Sequence, residues 1–496
     1  MTRRDDAGKA AGPLAVGAGG NPNAVFTKVY DFNPNDPASG YNPNGRLIFD
    51  AAGNLYGVTL YGGVDPSDDG GNGVAFMLAP ASGGGYQYSV LYTFQGGPGD
   101  GARPVGGLIR DAAGNLYGTA AGGGPGWTGT VFKLTPGQPG AAYTSTTLYA
   151  FSAMPPPATT NTDGAGPSGS LVMAANGTLF GTTSSGGANG GGTVFSLTPQ
   201  QGGGYTFTNL HSFAAPQDYP FDLGGLTMDA AGNLYGLNPI GGDYASGEIF
   251  GLFLSGGQTY TYQSLYSFPQ IDYIRALPMG SFAIGGSGQL FGVTSEGGNN
   301  LSGTVFSYPG GSQPATPTTL CTFDDLTGPS APDAGVIVDG AGNLFGTTSS
   351  SSPGNGAVYR LTANGDGTYS YATLFEFTEM KRQGYAPENM LVMDALGHLF
   401  GTTVEGGAYG GGVVFKIGET AQAIAVMEAG VVLQVIVTEP GRGYAAPPAV
   451  SITASPNGAT AQAVATVANG SVTAVTVTNQ GSGYNFGPQV IFSPPG

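Results

Sequence analysis

The sequence predicts an all-β protein: a seven-bladed β-propeller closed by an N-terminal strand, plus a small C-terminal all-β module. Three observations predict it. A Gly-Asn-Leu-Tyr-Gly stretch, exact or varied, occurs seven times at a nearly constant interval. Each interval holds the same four short strand-like segments in the same order. The two ends of the repeated region are complementary, one carrying the segment that the other lacks.

The pentapeptide stands at Gly53–Gly57, Gly114–Gly118 and Gly232–Gly236, and with Phe for Tyr at Gly342–Gly346. Looser copies stand at Gly177–Gly181, Gly288–Gly292 and Gly397–Gly401. The leucines fall at 55, 116, 179, 234, 290, 344 and 399, spaced by 61, 63, 55, 56, 54 and 55 residues. A period of this size marks a repeat architecture, whose units bury their apolar faces against one another.

The second copy shows the segments. Segment a is Val105–Ile109, and segment b is Leu116–Thr119 after the turn Asp111–Asn115. A glycine-rich loop leads to segment c, Gly129–Leu134, and segment d runs from Tyr143 to Phe151. Each is short, rich in β-branched or aromatic residues and bounded by Gly, Pro or Asn, which is the pattern of strand and turn. Segment d ends at Phe32, Phe94, Phe151, Phe213, Phe268, Phe323 and Phe377. The first d segment, Val25–Phe32, precedes any a, b or c, and the last a, b and c lack a following d. One N-terminal strand therefore completes the last blade, and ring closure removes exposed sheet edges. The propeller spans residues 24–417, after a leader at 1–23 that reads as flexible.

The glycine-aromatic rhythm stops at Gly418. Thr420–Ala423 then matches Thr460–Ala463, and Gly441-Arg442-Gly443-Tyr444 matches Gly481-Ser482-Gly483-Tyr484, a period of 40. Apolar and polar residues alternate, as in Val472–Thr478, so residues 418–496 read as strands of a separate module.

Composition narrows the function. Net charge is −17 with 14 Lys and Arg, which argues against nucleic acid or anionic lipid as partner. The single cysteine, Cys321, rules out an intrachain disulfide. No apolar run is long enough to cross a membrane as a helix, and no signal-peptide core is evident. Glycine, at 92 residues, lacks the three-residue period of collagen and fits turns between short strands.

The string Asp111-Ala112-Ala113-Gly114-Asn115-Leu116-Tyr117-Gly118-Thr119, with the segments after it, resembles the GloVer tandem repeat. The resemblance covers residues 25–417. It implies a bacterial protein, often secreted, with varied C-terminal anchors, and it implies no particular chemistry. The 40-residue repeats look like modules of phage tail and bacterial surface proteins.

Strand alternation places the d→a and b→c loops on one face and the a→b and c→d turns on the other. The a→b turns are nearly uniform, and their Asp50, Asp111, Asp229 and Asp339 read as turn residues bonding their own backbone. The other face varies, so candidate ligand-binding residues are sought there: Trp127, Tyr244, Tyr409, Asp100, Asp163, Asp218, Asp272, Tyr219 and Tyr273. Aromatic faces beside carboxylates suit a sugar, although the same tyrosines can plug gaps between blades. An acidic loop offers Asp65, Ser67 and Asp69 as Ca²⁺ ligands, but Phe76 stands where the closing Glu is needed, which favours a solvated loop. Apart from that Ca²⁺, no cofactor is implied. Two histidines, His211 and His398, read as repeat variation, and no catalytic triad or His/Cys metal cluster is evident.

Three functions stay open. The first is a non-enzymatic extracellular or surface binding protein for a glycan or protein, its C-terminal module serving attachment or self-assembly. The second is a polysaccharide hydrolase or lyase that uses loop carboxylates. The third is a structural component of a virion or filament.

Overall fold

A computed structural model of the chain describes residues 14–15, 21, 23–36, 38–63, 70–82, 85–138, 142–154, 158–214, 223–256, 259–270, 274–298, 300–324, 328–351 and 354–495. The fold is all-β, a seven-bladed propeller with one turn of helix at Met380–Gln383. Blade 1 is an antiparallel sheet of Tyr41–Phe49, Leu55–Tyr61, Val74–Pro80 and Tyr86–Thr93, in that order. Blade 2 repeats it with Gly101–Arg110, Leu116–Gly123, Thr130–Thr135 and Thr144–Ala150. In the seventh blade the order is Ala24–Asp31, Val413–Glu419, Leu399–Thr403 and Val392–Met393. The N-terminal strand thus takes the place of the missing segment d. Leu14–Ala15, in the leader, pairs in parallel with Cys321–Thr322.

The repeated residues have distinct packing roles. The last glycine of the pentapeptide lies opposite the segment-c aromatic, as Gly57 does to Phe76 and Gly118 to Phe132. A Cβ on either glycine would meet that ring at 2.6 Å, so only glycine lets the ring lie flat on segment b. The closing Phe of segment d meets the segment-c ring of the next blade edge-on. Centroid separations are 4.9 Å for Phe94–Phe132, 5.3 Å for Phe151–Phe195 and 5.2 Å for Phe213–Phe250. Phe32, from the N-terminal end, makes the same contact with Phe76 of blade 1 at 5.3 Å and so joins the ends of the ring.

The inner strands bulge. Between Asn44 and Ile48 blade 1 carries two more residues than its partner strand, and blades 2 and 5 do the same at Val105–Ile109 and Met279–Ala283. The bulges bring neighbouring backbones together at glycine. A Cβ on Gly106 would lie 2.8 Å from the Gly169 carbonyl carbon, and one on Gly224 would overlap the Gly280 carbonyl oxygen. In blade 7 the equivalent residue is Asn389. Its side chain accepts from the Gly45 amide at 2.7 Å and donates to the Pro43 carbonyl at 3.3 Å.

On the a→b side each aspartate clasps its turn. Asp111 accepts from the Ala113 and Asn115 amides at 3.0 and 2.9 Å, from the Asn115 side chain at 2.7 Å and from the Tyr117 hydroxyl at 3.1 Å. Asp50 and Asp229 repeat the set with Asn54/Tyr56 and Asn233/Tyr235. In blade 7 the His398 ring nitrogen Nδ1 stands where the Asn amide would, 2.7 Å from Asp394. Burial pushes the Asp111 carboxyl up, but the bonds it accepts from Asn115, Tyr117 and Ala113 outweigh this and hold it below the usual carboxylate range.

The chain divides into two compact units, one formed mainly by Asp31–Leu391 and Thr402–Val413, the other by Gly20–Tyr30, Val392–Gly401 and Val414–Gly496. Within the second, the C-terminal repeats form hairpins Gln422–Glu428/Val431–Glu439 and Gln462–Ala468/Ser471–Asn479, and their final strands pair as Val450–Ile452 with Val490–Phe492. The repeats exchange contacts reciprocally. Tyr444 donates to the Ser493 carbonyl at 3.3 Å, and Tyr484 to the Thr453 carbonyl at 3.2 Å. Gly443 packs on the His398 ring, and its amide donates to the Leu396 carbonyl at 2.9 Å. After Arg442 the sequence contains no Asp, Glu, Lys, Arg or His.

Two outcomes follow from this packing. Gly224 has an ordinary φ, so Gly224→Ala adds only a steric clash and should cost about 2–4 kcal/mol in denaturant unfolding; an unchanged midpoint would contradict the inner-ring contact. A depressed carboxyl stabilises the fold fully above the unfolded value of about 3.9 and loses that contribution as pH falls through the folded value. Asp111→Asn should therefore lower the melting temperature at pH 7, with the gap to the parent closing towards pH 2.

Candidate functional site

Most b→c loops share one backbone. Five of them read Gly-Gly followed by four residues and a final Gly: Gly123–Gly129, Gly186–Gly192, Gly241–Gly247, Gly297–Gly303 and Gly406–Gly412. In each, the amide of the final glycine donates to the carbonyl of the first, at 3.0–3.2 Å. Two residues before the final glycine the chain is left-handed in all five, at Trp127, Gly190, Ala245, Leu301 and Gly410. On the face treated above as variable these five loops are therefore alike in backbone and differ in their side chains. Loops of the two kinds do meet on this side: the Gly124 amide donates to the Asp100 carbonyl at 3.1 Å.

Trp127, Tyr244 and Tyr409 stand on these loops, each 56 % exposed. With Met380 they are the large hydrophobic residues exposed among the described propeller residues. Met380 belongs to the same end, its carbonyl accepting from the Gly407 amide at 2.8 Å. Trp127 has φ 57°, a conformation that costs a non-glycine residue about 1 kcal/mol.

Asp100 and Asp163 lie inside, 8 % and 2 % exposed. Asp100 accepts from the Tyr92 hydroxyl and the Gln95 amide, both at 2.8 Å. Asp163 accepts from Tyr149 at 2.7 Å and from the Ser152 amide and hydroxyl at 2.9 Å. Each carboxylate thus anchors its own turn to the tyrosine of the preceding strand. Burial, then Asp100, pushes the Tyr92 phenol up to about 12. Asp218, Tyr219, Asp272 and Tyr273, and the acidic loop with Asp65, Ser67 and Asp69, lie outside the described residues. Among the described residues no group of three His, Cys, Asp or Glu is arranged to hold a metal.

Sequence reasoning passed over Asp333 and Glu388. Both follow the proline that opens an inner strand, where blades 1, 2 and 3 carry Asn44, Val105 and Ser168. Burial raises the Asp333 carboxyl, Ser349 pulls it back, and Glu296 raises it further. Burial and then the charges of Asp333 and Glu405 raise that of Glu388. Aligning the seven copies column by column carries the signal: adjacent blades place carboxylates at one position.

The histidines and cysteine are packed. His211 stacks on Tyr262 with centroids 3.6 Å apart, and burial lowers its pKa. Cys321 is fully buried, its thiol pushed up to about 12, so it offers no thiolate.

Solved structures similar to this chain include a gluconolactonase from Xanthomonas campestris, at 14% identity over 80% of this chain and 89% of that one, with a TM-score of 0.37. An α-L-arabinanase from Penicillium chrysogenum matches at 12% identity over 80% and 98%, with a TM-score of 0.40. A puromycin-hydrolysing peptidase from Mycobacterium tuberculosis matches at 12% over 79% and 52%, with a TM-score of 0.44. At such identities the likeness concerns the fold and carries no argument about activity. A search of curated proteins finds no match. The Gloeobacter/Verrucomicrobia repeat model matches residues 19–160, 156–283 and 265–429, and the chain belongs to that repeat family.

Proposed function

We propose that this protein is a non-enzymatic binding protein that takes a glycan on the aromatic side chains of its Gly-Gly loops. One observation carries the reading: Trp127, Tyr244, Tyr409 and Met380, the large hydrophobic residues exposed on the described propeller, all belong to loops of one end. A tryptophan held in a left-handed conformation, where two other blades use glycine, is a strained residue of the kind that marks binding sites. Sugar rings stack on such faces, while Asp243 and Glu405 on the same loops supply hydrogen-bond acceptors for hydroxyls. The GloVer resemblance to secreted proteins supports a place outside the cell or on its surface. The C-terminal module, with Ile424, Ile436, Val464 and Phe486 exposed, suits attachment or assembly.

A second reading is hydrolysis of a polysaccharide, favoured by Asp333 and Glu388. Two partly buried carboxyls with raised pKa values are the equipment of a general acid and its partner.

A glycan array with the parent protein and Trp127→Ala, Tyr244→Ala and Tyr409→Ala tests the first reading. Each substitution should weaken binding by about tenfold, since a stacked aromatic contributes about 0.5–1.5 kcal/mol beyond its buried area. Unchanged binding by the triple variant would remove the loops from consideration. Release of reducing ends, abolished by Glu388→Gln or Asp333→Asn, would establish the second reading in its place.

A further inference from the structure

The a→b side is less uniform than its motif. Blades 1, 2 and 4 carry both partners of the clasp, Asp50/Tyr56, Asp111/Tyr117 and Asp229/Tyr235. Blade 3 has Ala174 and Phe180 at those positions, and blade 5 has Gly285 and Phe291. Beside these two blades the surface opens. A cleft of about 330 Å³ lies between blades 3 and 4, and another of about 460 Å³ lies between blades 5 and 6. The clefts are equivalent in the repeat: Phe180, Met228 and Tyr260 line the first, and Phe291, Val338 and Tyr369 the second.

The missing groups account for the opening. In blade 2 the Tyr117 phenol joins both Asp111 and Tyr205 of the next blade, so the clasp fills the junction. Phe180 has no hydroxyl to offer. Tyr260, the residue matching Tyr205, turns instead to the Gly232 carbonyl at 3.0 Å, with its ring edge-on to Phe180 at 5.4 Å. The cleft between blades 3 and 4 then combines an apolar floor with a hydroxyl wall. Thr178, Ser196, Thr198 and Thr208 line it, and Asn176 adds an amide. No hydroxyl of these four makes a hydrogen bond among the described residues. No charged side chain lines the cleft, although the chain carries a net charge of −17.

We propose that the cleft between blades 3 and 4 is a binding site for a neutral sugar, a mono- or disaccharide. Its volume lies at the small end of the range for ligand pockets, about 300–1,000 Å³. Aromatic and thioether surface meets the C–H face of a pyranose, and uncommitted hydroxyls with one amide meet its hydroxyl rim. An ionic ligand finds no counter-charge there. The site is separate from the Gly-Gly loops, which leave the opposite ends of the strands, and it does not rest on the function proposed for them.

Saturation-transfer NMR and calorimetry with methyl glucosides, methyl galactosides, maltose and cellobiose test the assignment. At least one probe should bind with a dissociation constant on the order of 1 mM or tighter. The double variant Ala174→Asp/Phe180→Tyr rebuilds the clasp of the other blades inside the cleft and should weaken binding by about tenfold or more. Thr208→Val removes one exposed hydroxyl at nearly constant volume and should weaken it about fivefold, the worth of one hydrogen bond. Thr208→Val decides the matter if the double variant does not fold. Substituting Trp127, Tyr244 and Tyr409 together should leave this binding intact. Absence of transfer to every probe, or parent affinity in both cleft variants, would overturn the proposal.

Discussion

The propeller depends on how closely its inner strands approach one another. Each bulge pushes backbone towards the neighbouring blade, and at Gly106 and Gly224 that backbone arrives at a distance no side chain would tolerate. Dispersion between packed backbones is weak per atom pair and large in sum, so a ring of such contacts fixes spacing at the hub. The rim follows from the hub. Once the spacing is fixed, the Phe of one segment d has a single place to stand, edge-on to the segment-c ring of the next blade. Asn389 shows how the ring tolerates an exception, because a side-chain amide satisfies the Gly45 and Pro43 backbone groups at the last junction.

A division of labour runs through each repeat. Asp and Tyr on the a→b side hold turns, and Asp and Tyr on the d→a side anchor loops to strands. Buried carboxylates in this chain are therefore mostly acceptors for phenols and amides, which is the arrangement burial requires. In Asp333 and Glu388 neighbouring charge adds to burial in raising the carboxyl. What the framework leaves over among the described residues lies in loop side chains and in the two blades that lack both partners of the clasp.

Much of the fold was legible in the sequence because the repeat states its own boundaries. The period, the four segments and the orphaned N-terminal segment d lead directly to blades and to closure by Ala24–Asp31. The site was less legible. Asp100 and Asp163 look alike in sequence whether they face a ligand or a tyrosine hydroxyl, and only the tertiary position of Tyr92 and Tyr149 decides. The shared turn of the b→c loops was obscured because its left-handed residue is a tryptophan in one blade, a leucine in another and a glycine in two. Clefts beside blades 3 and 5 arise from groups that are absent, and an absence becomes visible only when every copy is laid against the others.

The second half of the C-terminal module carries no Asp, Glu, Lys, Arg or His, and its two phenols, Tyr444 and Tyr484, are buried. From Gly443 onward its solvation rests on Thr, Ser, Asn and Gln, while Val464, Phe486 and Ile491 stay exposed between them. The protonation of such a surface does not respond to acidity, and it has no counterion cloud for salt to compress. Contacts made on that half rest on shape and dehydration rather than on ion pairing, even where the rest of the molecule gains or sheds its charge.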